Sequence, residues 1–117
     1  MTDINAPCLI VENNFLIGLD LLELLQSLGF RNMDHAKDEA AVSALITNTT
    51  YEIAFIDFDQ GEDIAKRLAS QMRSQGAAII FTSTLFDQTD MPTALGEYNL
   101  LSKPYSATAL RDILDLN

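Results

Sequence analysis

The chain has 117 residues, enough for one domain with a sizeable core and too few for two. Its formal net charge of −10, from 17 acidic and 7 basic side chains, argues against binding to nucleic acid or to an anionic membrane, since both would repel it. No apolar run approaches the roughly 20 residues of a membrane span, and the N-terminal residues lack the basic region of a secretory signal. These features predict a cytoplasmic protein whose partners are proteins or cations.

Short apolar runs alternate with longer segments of helical period along the chain. The runs predict strands at residues 8–11, 32–36, 53–56, 78–81 and 98–101, and the longer segments predict helices at residues 15–28, 38–46, 63–75 and 107–116. Between the fourth and fifth strands, Pro92 and Gly96 leave room only for a short helix. The predicted inward face of the first helix holds Phe15, Leu19, Leu22, Leu25 and Leu28.

The repeated alternation of strand and helix predicts an α/β fold, a five-stranded parallel sheet with helices on both faces. Such sheets bind ligands in the crevice at the carboxyl ends of their strands. The polar side chains at the predicted strand ends are Glu12, Asn13, Asp57, Thr82, Ser83 and Lys103. Because hard oxygen ligands without a nearby histidine or cysteine suit Mg²⁺, these positions predict a magnesium site that also contains a hydroxyl group and a lysine.

Four motifs stand at these strand ends: LIVEN at residues 9–13, FID at 55–57, IIFTS at 79–83 and LSKP at 101–104. Their order resembles the receiver domain of two-component response regulators, and the resemblance covers nearly the whole chain. It implies a flavodoxin-like (βα)5 fold with strand order 2-1-3-4-5. It also implies a commonly cis peptide bond before the proline of LSKP. Because the chain ends at Asn117, just after the last predicted helix, we expect a single domain over residues 1–117 without an effector domain.

The resemblance implies that Asp57 is the phosphoacceptor and that Glu12 and Asn13 occupy the acidic pair of the family. Mg²⁺ would be held by Asp57, Glu12 and the backbone carbonyl of Asp59. Asn13 departs from the family pattern, in which the second acid usually ligates the metal directly. A neutral amide can offer its oxygen, but the resemblance then predicts weaker Mg²⁺ binding, which the charge of Asp59 would partly restore.

The resemblance also assigns Lys103 to the lysine that compensates a phosphoryl oxygen, and it places a switch hydroxyl at the end of the fourth strand. Two neighbouring side chains can supply that hydroxyl. Spacing from Gly76 favours Ser83, whereas the apolar run at residues 79–81 favours Thr82. Ser83 is the first choice and Thr82 the second.

The function implied is that of a stand-alone receiver rather than an enzyme. A histidine kinase or phosphotransfer protein would phosphorylate it, and it would signal to a downstream protein by contact or by onward phosphotransfer. Leu100 stands where many receivers carry a switching aromatic residue, and with Asn13 it leaves open a pseudo-receiver that binds proteins without phosphorylation. A third reading is a phosphatase of the haloacid-dehalogenase type, since Asp57 and Asp59 form a DxD motif. That family, however, places DxD on its first strand.

Three side chains carry expectations about their surroundings. Cys8 opens an apolar run, which predicts a buried thiol. His35 ends a weak predicted strand and is expected at the surface. Asp57 is expected at a solvent-facing strand end, where its replacement would leave the fold intact.

Overall fold

A sheet of five parallel strands lies at the centre of the structure, a computed structural model that describes residues 3–84 and 99–115. The strands are β1 (Cys8–Val11), β2 (Met33–Ala36), β3 (Ile53–Asp57), β4 (Ala78–Ser83) and β5 (Asn99–Ser102). Their order in the sheet is β2-β1-β3-β4-β5. The predicted parallel sheet and its strand order are confirmed.

Four helices are described with the sheet: α1 (Phe15–Ser27), α2 (Glu39–Ile46), α3 (Glu62–Ser74) and α4 (Ala107–Ile113). Each begins and ends within a few residues of its prediction, the usual uncertainty of helix boundaries. The short helix expected near Pro92 and Gly96 lies outside the described residues. Within the segments that are described, no helix is both long and apolar enough to cross a membrane.

Each face of the sheet is covered by its own apolar core. Val42 of α2 and Leu68 and Met72 of α3 pack on one face, and Leu25 of α1 and Leu110 of α4 pack on the other. Each such buried side chain contributes roughly 1.5–3 kcal/mol to folding. Two-sided burial explains why β1, β3 and β4 appear in the sequence as nearly continuous apolar runs.

The thiol of Cys8 is buried in β1, as predicted, with 0% of the residue exposed. Burial disfavours the thiolate and raises the pKa of Cys8 to about 12. The thiol therefore behaves as a small apolar side chain of the core.

The inward face of α1 agrees with the prediction at Leu22, Leu25 and Leu28, which pack in the core, and differs from it at Phe15. Gly18, Leu21 and Leu25 are its buried residues, whereas Phe15 is 67% exposed. The prediction that Phe15 faces the core is therefore wrong. The reason lies at Gly18, whose missing side chain allows the helix to pack directly against the imidazole of His35 on β2.

His35 is half-buried instead of lying at the surface as predicted. Its Nε2 lies 2.7 Å from the backbone carbonyl oxygen of Glu12, to which it donates a hydrogen bond in the tautomer that carries the proton there. Its ring stacks against Phe15 with centroids 6.2 Å apart. A Cβ at position 18 would lie 2.3 Å from the imidazole Cε1. The ring therefore links β2, α1 and the loop that carries Glu12.

This packing predicts that Gly18→Ala destabilises the chain, although alanine is the better helix former. The new methyl group forces the imidazole away from Phe15 and Glu12, an overpacking cost of about 1–3 kcal/mol in the free energy of unfolding. Urea denaturation measures this cost. The matched control is the same substitution in a His35→Ala background, where the methyl group has room. An equal loss in both backgrounds would show that contact with His35 is not the cause.

Candidate functional site

The register of the sheet brings the predicted site residues to one edge. Asp57 ends β3 and pairs in register with Thr82 of β4. Glu12 follows β1, whose last residue is level with the residue before Asp57. The backbone N–H of Lys103 donates a hydrogen bond to the Ser83 carbonyl at 2.9 Å, so the lysine follows β5 at the same level. Side chains scattered over 91 positions of sequence therefore meet at the carboxyl ends of the strands.

Lys103 is the centre of this site. Its ammonium nitrogen lies 2.7 Å from Oε1 of Glu12 and 2.9 Å from Oδ1 of Asp57. The three side chains are only 6%, 2% and 3% exposed, respectively. Burial works against the charge on Lys103, but hydrogen bonds to the two carboxylates outweigh it and raise the pKa of Lys103 above its ordinary value. One cation thus compensates two buried anions.

Asp57 is buried rather than solvent-facing, with 2% of the residue exposed, so that expectation is wrong. The reason is the 3₁₀ turn at Phe58–Gln60 that follows it. The Asp59 N–H donates to Asp57 Oδ1 at 2.9 Å, and Gln60 Nε2 donates to the Asp57 carbonyl at 2.8 Å. Gly61, at a φ of 132°, then redirects the chain into α3. The turn folds back on Asp57 and covers it.

Glu12 has an unsatisfied oxygen. Its Oε2 is buried and, within the described part of the chain, has no hydrogen-bond partner. Burial raises the pKa of Glu12, the neighbouring Asp57 carboxylate raises it further, and Lys103 opposes both effects. A buried acceptor without a donor, beside a second carboxylate, is a position where a cation would be stabilised.

The side chain of Asp59 is bound at the end of β4. One carboxylate oxygen accepts a short hydrogen bond from the Ser83 hydroxyl. The other accepts from the Thr84 N–H at 3.0 Å and from the Thr84 hydroxyl at 3.1 Å, and lies 3.5 Å from the Lys103 ammonium. Partial burial opposes ionisation, but the donors from Ser83 and Thr84 prevail and lower the pKa of Asp59.

The two candidate switch hydroxyls have different surroundings. Ser83 is fully buried and bound to Asp59. Thr82 is 2% exposed and faces Tyr105. Burial raises the pKa of Tyr105 to about 12, with Thr82 acting in the opposite direction, so the phenol stays protonated at neutral pH. The sequence signal for Tyr105 is its position two residues after Lys103, which places it beside the site.

Asn13 stands apart from this cluster. It is exposed and lines a shallow groove of about 500 Å³ together with Phe15, His35 and Lys37. Glu12 borders the same groove from its buried side. Of the predicted metal ligands, the structure therefore brings Glu12 and Asp57 together, turns the Asp59 carboxylate toward β4 and leaves Asn13 on the outer side.

The buried donors suit a small divalent cation in their chemistry. The carboxylates of Glu12 and Asp57 are hard oxygen ligands of the kind Mg²⁺ prefers, and Glu12 Oε2 is free to accept. Across residues 3–84 and 99–115, no three carboxylate, histidine or cysteine side chains converge as a ready-made metal site. The ammonium of Lys103 lies among the carboxylates instead. Two protein carboxylates with water are nevertheless a sufficient first shell for Mg²⁺.

The peptide bond between Lys103 and Pro104 is cis, which agrees with what the resemblance implied. Leu100, two residues before the end of β5, packs against the core that contains Phe81. A partly buried aliphatic side chain therefore stands at the position of a switching aromatic.

Comparison with known proteins identifies the fold. No protein-family model matches the chain, and no curated protein is similar to it in sequence. A CheY-like receiver domain from Methylobacillus flagellatus superposes with a TM-score of 0.79 at 23% identity, over 95% of this chain and 97% of that one. A response regulator from Thermotoga maritima gives 0.77 at 17% identity, over 95% and 98%. At these identities the similarity establishes the receiver fold.

A third solved structure of similar fold contains bound groups. It is a response regulator from Burkholderia pseudomallei with a phosphorylated aspartic acid, a calcium ion and citrate. It matches with a TM-score of 0.76 at 18% identity, over 94% of this chain and 66% of that one.

Proposed function

We propose that the chain is a response-regulator receiver that accepts a phosphoryl group on Asp57. The observation that carries the proposal is the ammonium of Lys103 between two buried carboxylates, 2.7 Å from Glu12 and 2.9 Å from Asp57. Burying this set is costly, and replacing it with apolar side chains would often stabilise a fold. A role of these three charged side chains in chemistry at Asp57 explains why the fold keeps them buried despite the cost.

Phosphoryl transfer requires little covalent chemistry from the receiver. A carboxylate oxygen of Asp57 attacks the phosphorus of a phosphohistidine, and a new P–O bond forms while the P–N bond breaks. The electron pair of that bond stays on the imidazole nitrogen, which then takes up a proton. Because the transition state is loose, positioning and charge compensation dominate, and Lys103 supplies a fixed positive charge beside the attacking oxygen.

A metal ion fits the same site as part of the proposal. The side chains of Glu12 and Asp57 and the backbone carbonyl of Asp59 would hold Mg²⁺, with water completing its shell. When bound, the ion would neutralise charge on the phosphoryl oxygens. Asn13 adds no charge, and the Asp59 carboxylate is engaged with β4, so we expect weaker affinity than a site with a third carboxylate would have.

The partners follow from this role. A histidine kinase or phosphotransfer protein would donate the phosphoryl group in the cytoplasm, and a downstream protein would recognise the changed surface or accept the group in turn. The role is that of a phosphoacceptor, without turnover of an external substrate. A solved response regulator of similar fold contains a phosphorylated aspartic acid and a calcium ion, which supports the proposal.

A second candidate is an interaction module that is never phosphorylated. The outward position of Asn13 favours it, because a metal site there lacks one ligand. The phosphatase alternative receives less support: its second aspartate should act as a general acid, whereas Asp59 has a lowered pKa and is held by Ser83 and Thr84.

Acetyl phosphate with Mg²⁺ tests the proposal directly. We expect intact mass spectrometry to show the gain of one phosphoryl group that requires Mg²⁺, with backbone amide shifts near Glu12, Asp57 and Lys103 in NMR spectra. Absence of both the mass gain and the metal-dependent shifts would reject the receiver and favour the interaction module.

A further inference from the structure

We infer that the Asp59 carboxylate is an internal competitor of the phosphoryl group, which holds Ser83, Thr84 and Lys103 until phosphorylation displaces it. The inference rests on the proposed function, since it concerns the same site. It makes Asp59 a positioning residue: its side chain acts on the groups that surround Asp57 and takes no part in the transfer itself.

The contacts of Asp59 form a compact set of donors around one anion. The hydroxyl of Ser83, the N–H and hydroxyl of Thr84, and the ammonium of Lys103 all converge on its two oxygens. A hydroxyl, a backbone N–H and an ammonium are the donor types that stabilise phosphoryl oxygens. The chain thus presents a carboxylate to the donors that an acyl phosphate beside it would need.

The backbone holds Asp59 in this position. The Asp59 N–H caps the Asp57 carboxylate at 2.9 Å, and the 3₁₀ turn at Phe58–Gln60 sets the direction of the side chain toward β4. The two oxygens of its carboxylate accept from all of these donors. Its side chain is also 24% exposed, which leaves a path for it to swing toward solvent.

Competition follows from charge and from the number of donors. A phosphoryl group on Asp57 would bring up to two negative charges next to the Asp59 carboxylate, which would repel it. The same group would need the Lys103 ammonium, which already contacts both Asp57 and Asp59. Release of Ser83 would change the position of the residues that follow β5, because the Ser83 carbonyl accepts a hydrogen bond from the Lys103 N–H at 2.9 Å. Since Leu100 is a partly buried aliphatic residue, this release would replace an aromatic movement as the switching event.

Beryllium fluoride, which mimics an acyl phosphate on aspartate, provides the test. The affinity of the full chain for beryllium fluoride at saturating Mg²⁺ is measured by amide NMR in the wild type, Asp59→Ala and Asp59→Asn. We expect Asp59→Ala to bind it on the order of tenfold more tightly, the equivalent of one charge-assisted hydrogen bond. Asp59→Asn should fall between, because it retains an acceptor oxygen without the charge. Asp63→Asn, which removes an exposed carboxylate from the first turn of α3, should match the wild type.

Titration with Mg²⁺ alone separates competition from metal ligation. We expect Asp59→Ala to change Mg²⁺ affinity by less than about fivefold, as loss of a nearby unligated charge would. A larger loss would make the Asp59 carboxylate, in addition to its backbone carbonyl, a metal ligand and overturn the inference. Unchanged or weaker binding of beryllium fluoride in Asp59→Ala, with normal binding by the wild type, would also overturn it and leave the proposed function standing. Failure of every variant and of the wild type to bind would reject the proposed function, and the inference with it.

Discussion

We expect Asp57→Asn to abolish uptake of the phosphoryl group from acetyl phosphate, because an amide oxygen is too weak a nucleophile to replace the carboxylate. The fold should survive, since Lys103 keeps its 2.7 Å contact with Glu12 and the substitution removes one of two adjacent buried anions. Intact mass spectrometry measures the loss, and thermal unfolding confirms that the variant is folded.

The stability of the phosphorylated product toward hydroxylamine distinguishes an aspartate acceptor from a serine or threonine acceptor. An acyl phosphate on the wild type is cleaved by hydroxylamine, whereas a phosphate ester on Ser83 or Thr82 resists it. The matched control is Asp63→Asn, which removes an exposed carboxylate and should label like the wild type. Labelling of Asp57→Asn to the wild-type extent would assign the acceptor to another residue.

Lys103→Ala should cause the largest loss of stability of any single substitution at the site. Removal of the ammonium leaves Glu12 and Asp57, 2% and 3% exposed, without their common counter-charge. Breaking a buried ion pair in this way costs about 3–5 kcal/mol in the free energy of unfolding. Urea denaturation at pH 7 measures it. A cost below about 1 kcal/mol would mean that the two carboxylates do not depend on the lysine.

The loss of stability caused by Lys103→Ala should depend on pH in one direction. Because the pKa of Glu12 is raised in the folded protein, the folded state binds a proton there more readily than the unfolded chain does. Its contribution to stability is therefore present at low pH and is lost as the pH rises through the folded pKa. We expect the deficit of Lys103→Ala to shrink as the pH is lowered, because Glu12 then takes up a proton.

Two further measurements identify the cause. The double variant with Glu12→Gln should recover part of the loss, because one of the uncompensated charges is gone. Mg²⁺ should stabilise Lys103→Ala more than it stabilises the wild type, since it can replace the missing cation without competing with the ammonium. A deficit independent of pH, of Glu12 and of Mg²⁺ would point to lost packing of the lysine stem instead.

The fold was predictable because its signals are local. Two-sided burial makes β1, β3 and β4 continuous apolar runs, and the strand–helix alternation then requires parallel strands. The meeting of Glu12, Asp57 and Lys103 follows from that topology alone, since parallel strands end at one edge.

The errors concern contacts between distant elements. Leucines occupy several faces of α1, at Leu19, Leu21, Leu22, Leu24 and Leu25, so periodicity alone does not select the buried face. The choice depends on Gly18 meeting His35, a contact that only the packed sheet creates. The direction of the Asp59 side chain also depends on distant residues, the donors Ser83 and Thr84, which are 24 and 25 residues away. No pattern within the segment around Asp59 encodes it.

The single cysteine gives the protein an intrinsic reporter of its own opening. Cys8 lies on β1, between β2 and β3, with 0% exposure and a pKa of about 12. Alkylating reagents attack the thiolate, so the native thiol is protected both sterically and chemically. Labelling therefore requires that the centre of the sheet separate. The rate at which a thiol reagent modifies the unaltered chain thus measures how often the centre of the sheet opens, without any attached probe.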